Sequence, residues 1–336
     1  MKKKPNLSVI IPCFNSQKYL NKCLDSILKS TYKNYELIIV DDCSTDNTPE
    51  ILKKYQSFSQ IKIFRLKKNK GPANARNFGA SKTRGQYLFF LDADTETEKS
   101  CFDQVVKKFQ KDQNIGALQA KLMKSKSRRI ETAGHFLSFL GFPYEVRVGE
   151  NENKNQQEKL IFGARSAGMA VRKKIFQIIG GFDKDYFIYG EETDLSWRVW
   201  LAGYKIIYFP KAKVYHFQKS SLNKKTKYRI FYQGAKNNTQ NILKNAPLEI
   251  IIWMLPLHIL GWLALSLKLI FQKRLKMAFY IYQGLFWNII SLRKIIKKRA
   301  QINLYKNKNN SAKQIIRGEA SFKTILTKGL TWFKNV

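Results

Sequence analysis

The first 92 residues alternate between short apolar runs and segments whose apolar residues recur at helical spacing. Apolar, β-branched runs predict buried strands, and apolar positions three and four residues apart predict helices. Four strands separated by three helices with short links indicate βαβ units and an α/β fold with a Rossmann-like mixed, mostly parallel sheet. The predicted strands are 7–11, 36–40, 61–66 and 86–91, and the predicted helices are 16–28, 47–55 and 72–80.

The next part of the chain, up to about residue 235, mixes helices and strands less regularly. Residues 124–159 are polar and irregular apart from one apolar patch, which indicates an insertion or an acceptor-side loop. We predict helices at 102–109, 172–179 and 195–202, a strand at 115–121, and strands at 205–209 and 213–217 on either side of Pro210.

The composition changes near residue 236, which divides the chain into an α/β domain (1–235), an apolar helical hairpin (236–300) and a basic tail (301–336). The uncharged runs 250–267 and 278–292 are short for membrane spans. Two full spans would also place the basic cluster at 273–276 outside, against the positive-inside rule. We therefore expect a hairpin that lies in the cytoplasmic leaflet of the cell membrane, with two full spans and a buried hairpin of a soluble domain as the alternatives. The tail contains one amphipathic candidate, 322–333.

Charge is distributed unevenly along the chain. It has 61 Lys and Arg against 24 Asp and Glu, a net charge of +37, and residues 195–336 hold 27 of the basic and two of the acidic residues. A lysine-rich proteome explains the magnitude but not this asymmetry, which favours a polyanionic partner. Because long apolar runs interrupt the basic residues of 195–336, we expect an anionic membrane surface rather than nucleic acid.

The cysteines and the N-terminus point to the cytoplasm. The four cysteines have no CxxC or Cys/His spacing, so neither a disulfide framework nor a zinc site is indicated, and free thiols fit a reducing compartment. Pro5 and a short, interrupted apolar run argue against an export signal.

Polar or acidic residues follow three of the predicted strands. The first strand ends in Pro12-Cys13-Phe14-Asn15. Asp41 and Asp42 end the second strand, and Asp92 and Asp94 follow the fourth in a DxD pattern. Ligands of open α/β sheets bind beyond the carboxyl ends of the strands, so these clusters define one crevice. Two carboxylates one residue apart repel each other unless a cation lies between them, which favours a divalent ion and a phosphorylated ligand. Arg76, in a predicted helix behind Gly71, faces this crevice, although a surface ion pair is its alternative.

Three carboxylates crowd the start of another predicted helix, at Glu191, Glu192 and Asp194. The helix dipole stabilises anions there, and mutual repulsion raises at least one pKa, as a general base requires. Plain helix capping is the alternative, above all for Asp194. The chain lacks a phosphate-binding loop, a GxGxxG fingerprint after the first strand and the usual Ser/His/Asp or Cys/His signatures.

These segments together resemble family 2 glycosyltransferases with the GT-A fold. Their order and spacing match over roughly residues 6–217, and the chain is most similar to the rhamnosyltransferase-like bacterial branch, which often ends in a membrane-associated helical tail. The segments are SVIIPCFN, VDDCSTDNT, GPANARNFGA, DAD and GGFDKDYFIYGEETDLSWRVWLAGYKI, the last followed by VYH.

The resemblance implies an inverting, single-displacement transfer that uses Mg²⁺ or Mn²⁺. Asp94 would bind the metal and the diphosphate, and His216 matches a position that often completes this site, with an ordinary strand-end histidine as the alternative. Asp92 would meet the ribose. The positions that match the nucleotide-sugar site are Pro12, Asn15, Asp41, Asp42, Gly71, Arg76 and Asp92.

One departure concerns the base. The family usually has Glu-Asp where this chain has Glu191-Glu192, so we assign the base to Glu192, with Glu191 and Asp194 as open alternatives. The QxxRW motif of processive synthases is missing, which favours one sugar per encounter. We expect transfer from a UDP- or dTDP-sugar to a hydroxyl of a lipid-linked or cell-surface glycan. The alternative is an inactive, membrane-anchored protein that binds sugar nucleotides.

Overall fold

The structure, a computed structural model, describes residues 4–125, 127–154, 156–217 and 228–307. Strands and helices alternate from residue 7 to residue 90, as predicted. The strands are β1 (Leu7–Cys13), β2 (Tyr35–Asp41), β3 (Ile61–Arg65), β4 (Tyr87–Phe90), β5 (Thr95–Thr97), β6 (Ile115–Lys124), β7 (Ile130–Thr132), β8 (His135–Leu137), β9 (Pro143–Glu145), β10 (Lys159–Leu160), β11 (Met169–Arg172) and β12 (Lys205–His216). The helices are α1 (Leu20–Leu28), α2 (Thr48–Lys53), α3 (Pro72–Ser81), α4 (Cys101–Lys111), α5 (Lys173–Ile178), α6 (Glu191–Leu201), α7 (Arg229–Asn245), α8 (Leu248–Phe271), α9 (Leu275–Ile290) and α10 (Leu292–Tyr305).

The described residues form one large mixed sheet with the strand order β10-β12-β6-β11-β4-β1-β2-β3. Strands β3, β2, β1 and β4 are parallel, and β11 runs antiparallel between β4 and β6. Successive residues of β1 enter opposite core clusters: Ile10 packs on one side of the sheet, and Val9 and Ile11 pack on the other. This period of two shows why strands buried on both faces read as continuous apolar runs. The predicted α/β fold is confirmed.

Several element boundaries differ from the prediction. Helix α1 begins at Leu20 rather than at residue 16, and β1 and β6 extend beyond their predicted ends, to Cys13 and Lys124. Helix α6 begins at Glu191, four residues before the predicted start, because Gly190 adopts a left-handed conformation (φ 82°) as its N-cap and acidic side chains suit the first turn. Strand β12 continues through Pro210 as one strand, with an irregular register between Phe209 and Lys213. Residues 124–159 are more ordered than predicted, since they contribute β7, β8 and β9.

Four helices follow the catalytic fold. Helix α7 runs without a break through the predicted boundary at residues 235 and 236. Helix α8, with 24 residues, is the one helix in the described ranges that is long and apolar enough to cross a membrane. Most of the predicted tail, including 322–333, lies outside the described residues.

Helix α9 packs tightly on α7. A Cβ atom at Gly284 would lie 2.6 Å from the carbonyl oxygen of Tyr232, so the two backbones approach closely there. One turn later, Asn288 Nδ2 donates to the carbonyl of Lys236 at 3.1 Å. Gly284 and Asn288 therefore face α7, while large apolar side chains such as Phe279 and Phe286 are exposed.

Candidate active site

The carboxyl ends of β1, β2 and β4 lie side by side, as the sequence predicts for a parallel sheet. Pro12 pairs with Val40 in register, and Cys13 pairs with Asp41. Asn15, just beyond β1, has a positive φ of 50°, and its Oδ1 accepts a hydrogen bond from the Thr45 amide at 2.8 Å. The loops after β1 and β2 are thus tied together at the edge of the crevice.

Asp41 and Asp42 are both buried and accept hydrogen bonds from backbone amides. Asp41 Oδ1 accepts from the Ser44 amide at 2.9 Å. Asp42 accepts from the amides of Lys70 at 2.9 Å and Gly71 at 2.7 Å, and burial raises its pKa. Gly71 has a φ of 83°, and a Cβ atom there would lie 2.5 Å from the carbonyl oxygen of Phe187. Asp42 therefore fixes the loop before α3, where only glycine fits.

Asp92, Asp94 and His216 come together. One ligand atom from each lies within 4.8 Å of the others. Strand pairing explains this, since β5 runs antiparallel to β12 and sets Thr95 opposite His216. His216 Nε2 lies 3.1 Å from Asp94 Oδ1. The DxD carboxylates and a histidine 122 residues away therefore form one cluster that could hold a divalent ion.

Glu131 is a site residue that the sequence analysis missed. Its two carboxylate oxygens each lie 3.0 Å from Nδ1 of His216. Burial alone would lower the pKa of His216, but hydrogen bonds to Asp94 and Glu131 outweigh it and raise that pKa to about 10. A carboxylate behind a histidine is the usual arrangement that orients an imidazole ligand of a metal. Glu131 lies in the segment without a recognisable motif, so no sequence signal marked it.

Arg76 contacts the protein's own carboxylates. Its side chain is buried; Nη2 donates to Asp92 Oδ1 at 2.7 Å, and Nη1 donates to Glu191 Oε1 at 3.3 Å. The guanidinium also lies 5.7 Å from the centre of the Phe182 ring. The sequence analysis predicted that Arg76 faces this crevice, with a surface ion pair as the alternative. In the structure, its Nη atoms form buried contacts with Asp92 and Glu191.

The first turn of α6 carries Glu191 and Glu192 with different surroundings. Burial, followed by the neighbouring Glu192, raises the pKa of Glu191 to about 7 despite Arg76. Glu192 Oε1 accepts from the amide of Ser166 at 2.7 Å and from its hydroxyl, and Oε2 lies 3.2 Å from Arg165 Nε. Arg165 and Ser166 are also residues to which the sequence analysis assigned no role.

Asp194 points away from the crevice. Two nitrogens of Arg198 donate to its Oδ2 at 3.0 and 2.6 Å. Its Oδ1 binds Lys244 at 2.7 Å and Asn245 at 2.9 Å. The exposed fraction of the side chain is 0 % for Asp194, 5 % for Glu191 and 17 % for Glu192. The geometry therefore argues against Asp194 as a base, because a substrate hydroxyl has no access to it.

Comparison with known proteins agrees with this picture. The sequence profile of the family described as Glycosyl transferase family 2 matches residues 8–180, just over half of the chain. The chain is similar to Glycosyltransferase GlyA of Streptococcus pneumoniae serotype 4 (strain ATCC BAA-334 / TIGR4), with 32% identity over 229 residues, 65% of this chain and 31% of the relative. It is also similar to poly-beta-1,6-N-acetyl-D-glucosamine synthase of Staphylococcus epidermidis, with 27% identity over 207 residues, 61% of this chain and 48% of the relative.

The fold has solved counterparts. The crystal structure of GalNAc-T7 with UDP, GalNAc and Mn²⁺ aligns with a TM-score of 0.60 and 21% identity, covering 73% of this chain and 48% of that one. This likeness supports the GT-A fold. The chain spans less than half the length of each of the two sequence relatives named above. The family profile, matched across the strands that carry the Asp41-Asp42 and Asp92-Asp94 pairs, shows that the chain belongs to glycosyl transferase family 2.

Proposed function

We propose that this protein is an inverting glycosyltransferase that moves a sugar from a UDP- or dTDP-linked donor to a hydroxyl of a lipid-linked or cell-surface glycan. The observation that carries the proposal is the convergence of Asp92, Asp94 and His216 at the strand ends, joined through Arg76 to the first turn of α6. The candidate cation site and the candidate base would then belong to one crevice. In a single displacement the base acts on the acceptor hydroxyl, and an ion on the diphosphate acts on the leaving group, on the opposite side of the anomeric carbon.

Asp94 and His216 would hold a divalent ion, Mg²⁺ or Mn²⁺. The set of donor atoms fits, because it combines carboxylate oxygens with an imidazole whose other nitrogen is held by Glu131. When bound, such an ion neutralises charge on a diphosphate leaving group. The presence of UDP and Mn²⁺ in the GalNAc-T7 structure supports this proposal.

The nucleotide would lie against the loops after β1 and β2. Pro12, Asn15 and Asp41 would line it, and Asp92 would meet the ribose with the carboxylate oxygen that does not accept from Arg76. Asp42 would act mainly by holding the Gly71 loop in place, because both of its oxygens accept from backbone amides. Arg76 would hold Asp92 and Glu191 in position rather than contact the nucleobase of the donor.

Glu192 is the best placed base. It is the most exposed of the three carboxylates at the start of α6, and Ser166 and Arg165 fix its orientation. In the reaction it would accept the proton of the acceptor hydroxyl while the hydroxyl oxygen bonds to the anomeric carbon and the nucleotide diphosphate leaves. Glu191, which is more deeply buried than Glu192, would serve as the ion-pair partner of Arg76.

The acceptor side would face a membrane. Helices α8 and α9 expose large apolar side chains to solvent, and Lys273 and Lys276 are exposed at the turn between them. Apolar side chains beside lysines suit the headgroup region of an anionic leaflet. We therefore place the protein on the cytoplasmic face of the cell membrane, where lipid-linked acceptors are accessible.

The packing of α8 favours a helix that lies along the membrane rather than crosses it. Ile250 and Met254 belong to the core cluster of the catalytic fold, and Trp262 packs its ring 5.3 Å from that of Phe142. His258 Nδ1 lies 2.7 Å from the Leu140 carbonyl oxygen. The residues of α8 beyond these contacts, 263–271, rise only about 14 Å, against a hydrocarbon layer of about 30 Å.

A donor panel tests the proposed function. Thermal unfolding of the purified protein would be measured with UDP-hexoses, UDP-N-acetylhexosamines and dTDP-rhamnose, with and without Mn²⁺. We expect a metal-dependent stabilisation by one donor, lost in Asp94→Asn, and dTDP-rhamnose tests the rhamnosyltransferase-like prediction directly. No stabilisation by any sugar nucleotide in a folded protein would overturn the proposal.

A further inference from the structure

The turn that leads into α6 has an unusual backbone. Tyr189 and Gly190 both adopt left-handed conformations, with φ of 66° and 82°. Glycine tolerates this, but a tyrosine rarely does, and such a residue persists only where its surroundings hold it. Glu191 and Glu192 follow directly, so the direction of this turn determines where both carboxylates point.

Two asparagines of α7 bind the carbonyl groups of this turn. Asn237 Nδ2 donates to the carbonyl oxygens of Ile188 at 3.0 Å and Tyr189 at 2.6 Å. Asn241 Nδ2 donates to that of Gly190 at 3.0 Å. The asparagines are four residues apart on one helix face, and both are buried, so water cannot replace their donors without a rearrangement.

Residues before and after the turn also contact this face of α7. The hydroxyl of Tyr186 donates to Asn241 Oδ1 at 2.5 Å, which fixes the orientation of the amide. Lys244 binds Asp183 at 2.6 Å before the turn and Asp194 at 2.7 Å after it. The position of the turn is therefore set by α7, which lies outside the matched family segment.

We propose that Asn237 and Asn241 are positioning residues for the transfer reaction, because they hold the Tyr189–Gly190 turn in its left-handed form. The kinetic part of this inference rests on the proposed function. Neither asparagine contacts the carboxylate of Glu192; they act through the backbone that carries it. Helix α7 is then part of the catalytic unit as well as its link to α8 and α9.

The proposal has a direct test in the whole chain of residues 1–336. Asn241→Asp removes the donor at nearly constant size, and Asn241→Ala removes it without adding charge, should the first variant fold poorly. Asn288→Asp is the matched control, since Asn288 donates to Lys236 and Gly284 and not to the turn. Two readouts are needed: hydrogen exchange of the backbone amides of residues 188–194, and kcat with donor affinity measured separately.

We expect faster exchange in 188–194 and a kcat reduced by about 100-fold, the order of effect of a misplacement of about 1 Å, with unchanged donor affinity. The control should change neither. Wild-type exchange in folded Asn241→Asp and Asn241→Ala, or a kcat equal to that of the control, would overturn the proposal. If the wild-type protein transfers no sugar, the proposed function fails, whereas the exchange measurement still decides whether α7 restrains the turn.

Discussion

Arg76 donates to Asp92 at 2.7 Å and forms with it an ion pair inside the candidate active site. The same guanidinium lies 3.3 Å from Glu191, so one cation separates two carboxylates that come from different elements. Without it, Glu191, whose pKa burial already raises, would either carry an uncompensated buried charge or have to take up a proton. We infer that Arg76 fixes the distance between α6 and the end of β4, and that stability and chemistry depend on it together.

Substitution of Arg76 should therefore destabilise the fold. We expect Arg76→Met to lower the free energy of unfolding by about 3–5 kcal/mol, the cost of breaking a buried ion pair from one side. Urea denaturation measures this. The double variant Arg76→Met/Glu191→Gln should lose less than the sum of the single losses, because it leaves no buried charge at Glu191.

Arg128 provides the control for this experiment. Its Nε lies 3.8 Å from Glu152, and its side chain is 82% exposed, so Arg128→Met should cost less than about 1 kcal/mol. Strictly additive losses at Arg76 and Glu191, or equal losses at Arg76 and Arg128, would contradict the bridging role.

The candidate cation site makes a second prediction. Glu131→Gln leaves Asp94 and His216 in place but weakens the hold on the imidazole, so we expect Mn²⁺ affinity to fall by about 10–100-fold. Isothermal titration with Mn²⁺ in the presence of UDP measures it. Glu96→Gln, on β5, removes a carboxylate outside the cluster and should leave affinity unchanged. Unaltered affinity in Glu131→Gln would show that the contact between Glu131 and His216 does not support metal binding.

Much of the site could be predicted because it depends on local pattern. Apolar runs locate the strands, and the parallel order brings Asp41 and Asp92 to one edge of the sheet. The DxD pattern is contained within three residues. These relationships follow from strand order and register, which hydrophobic periodicity determines. His216 was expected from the family resemblance alone, because strand β5, which pairs with β12 and brings it to the cluster, was not predicted.

The rest depends on partners that are distant in sequence. The partner of Arg76 could not be known before α6 was placed, and the exclusion of Asp194 requires Lys244 and Asn245 from α7. Glu131 lies in a segment without a recognisable motif. In each case the decisive fact is which charged group packs against another, and periodicity carries no information on that.

The assignment of the base gives a third prediction. Glu192→Gln should lower kcat by about 10²–10⁴-fold with unchanged donor binding, because the amide cannot accept the acceptor proton. Glu192→Asp, which restores the residue usual in the family, should retain far more activity. Initial rates at saturating donor and acceptor measure both. Full activity in the glutamine variant would show that another residue acts as the base.

The ion pairs around Asp183 predict a dependence of stability on pH. Burial alone would raise the pKa of Asp183, but Lys244 at 2.6 Å and Lys298 at 2.5 Å outweigh it and hold that pKa below its ordinary value. A carboxyl with a lowered folded-state pKa stabilises the fold above its unfolded pKa, about 3.9, and loses this contribution as pH falls further.

The measurement is the free energy of unfolding of the wild type and of Asp183→Asn from neutral pH down to acid. The wild type should be the more stable at neutral pH, and the difference should shrink as pH falls below about 4. A difference that does not depend on pH would show that the loss in Asp183→Asn comes from packing rather than from charge.

The apolar surface of α8 and α9 gives the last prediction. The exposed fraction of Ile252 is 75% and that of Phe279 is 58%, so a charge at either position should not destabilise the free protein. It should weaken binding to a bilayer, because burying a charge among lipid tails is costly. We expect Ile252→Glu/Phe279→Glu to lose cosedimentation with vesicles that contain anionic lipid, while Phe58→Glu, on the catalytic domain, binds as the wild type does.

High salt should release part of the bound wild-type protein, since Lys273 and Lys276 contribute by charge. Alkaline carbonate should release all of it if α8 lies along the membrane, and should leave it bound if α8 crosses. Wild-type binding by Ile252→Glu/Phe279→Glu would overturn the membrane role of this face. In that case the exposed side chains of α8 and α9 would have to be covered by another protein surface, because soluble proteins rarely leave so large an apolar patch open.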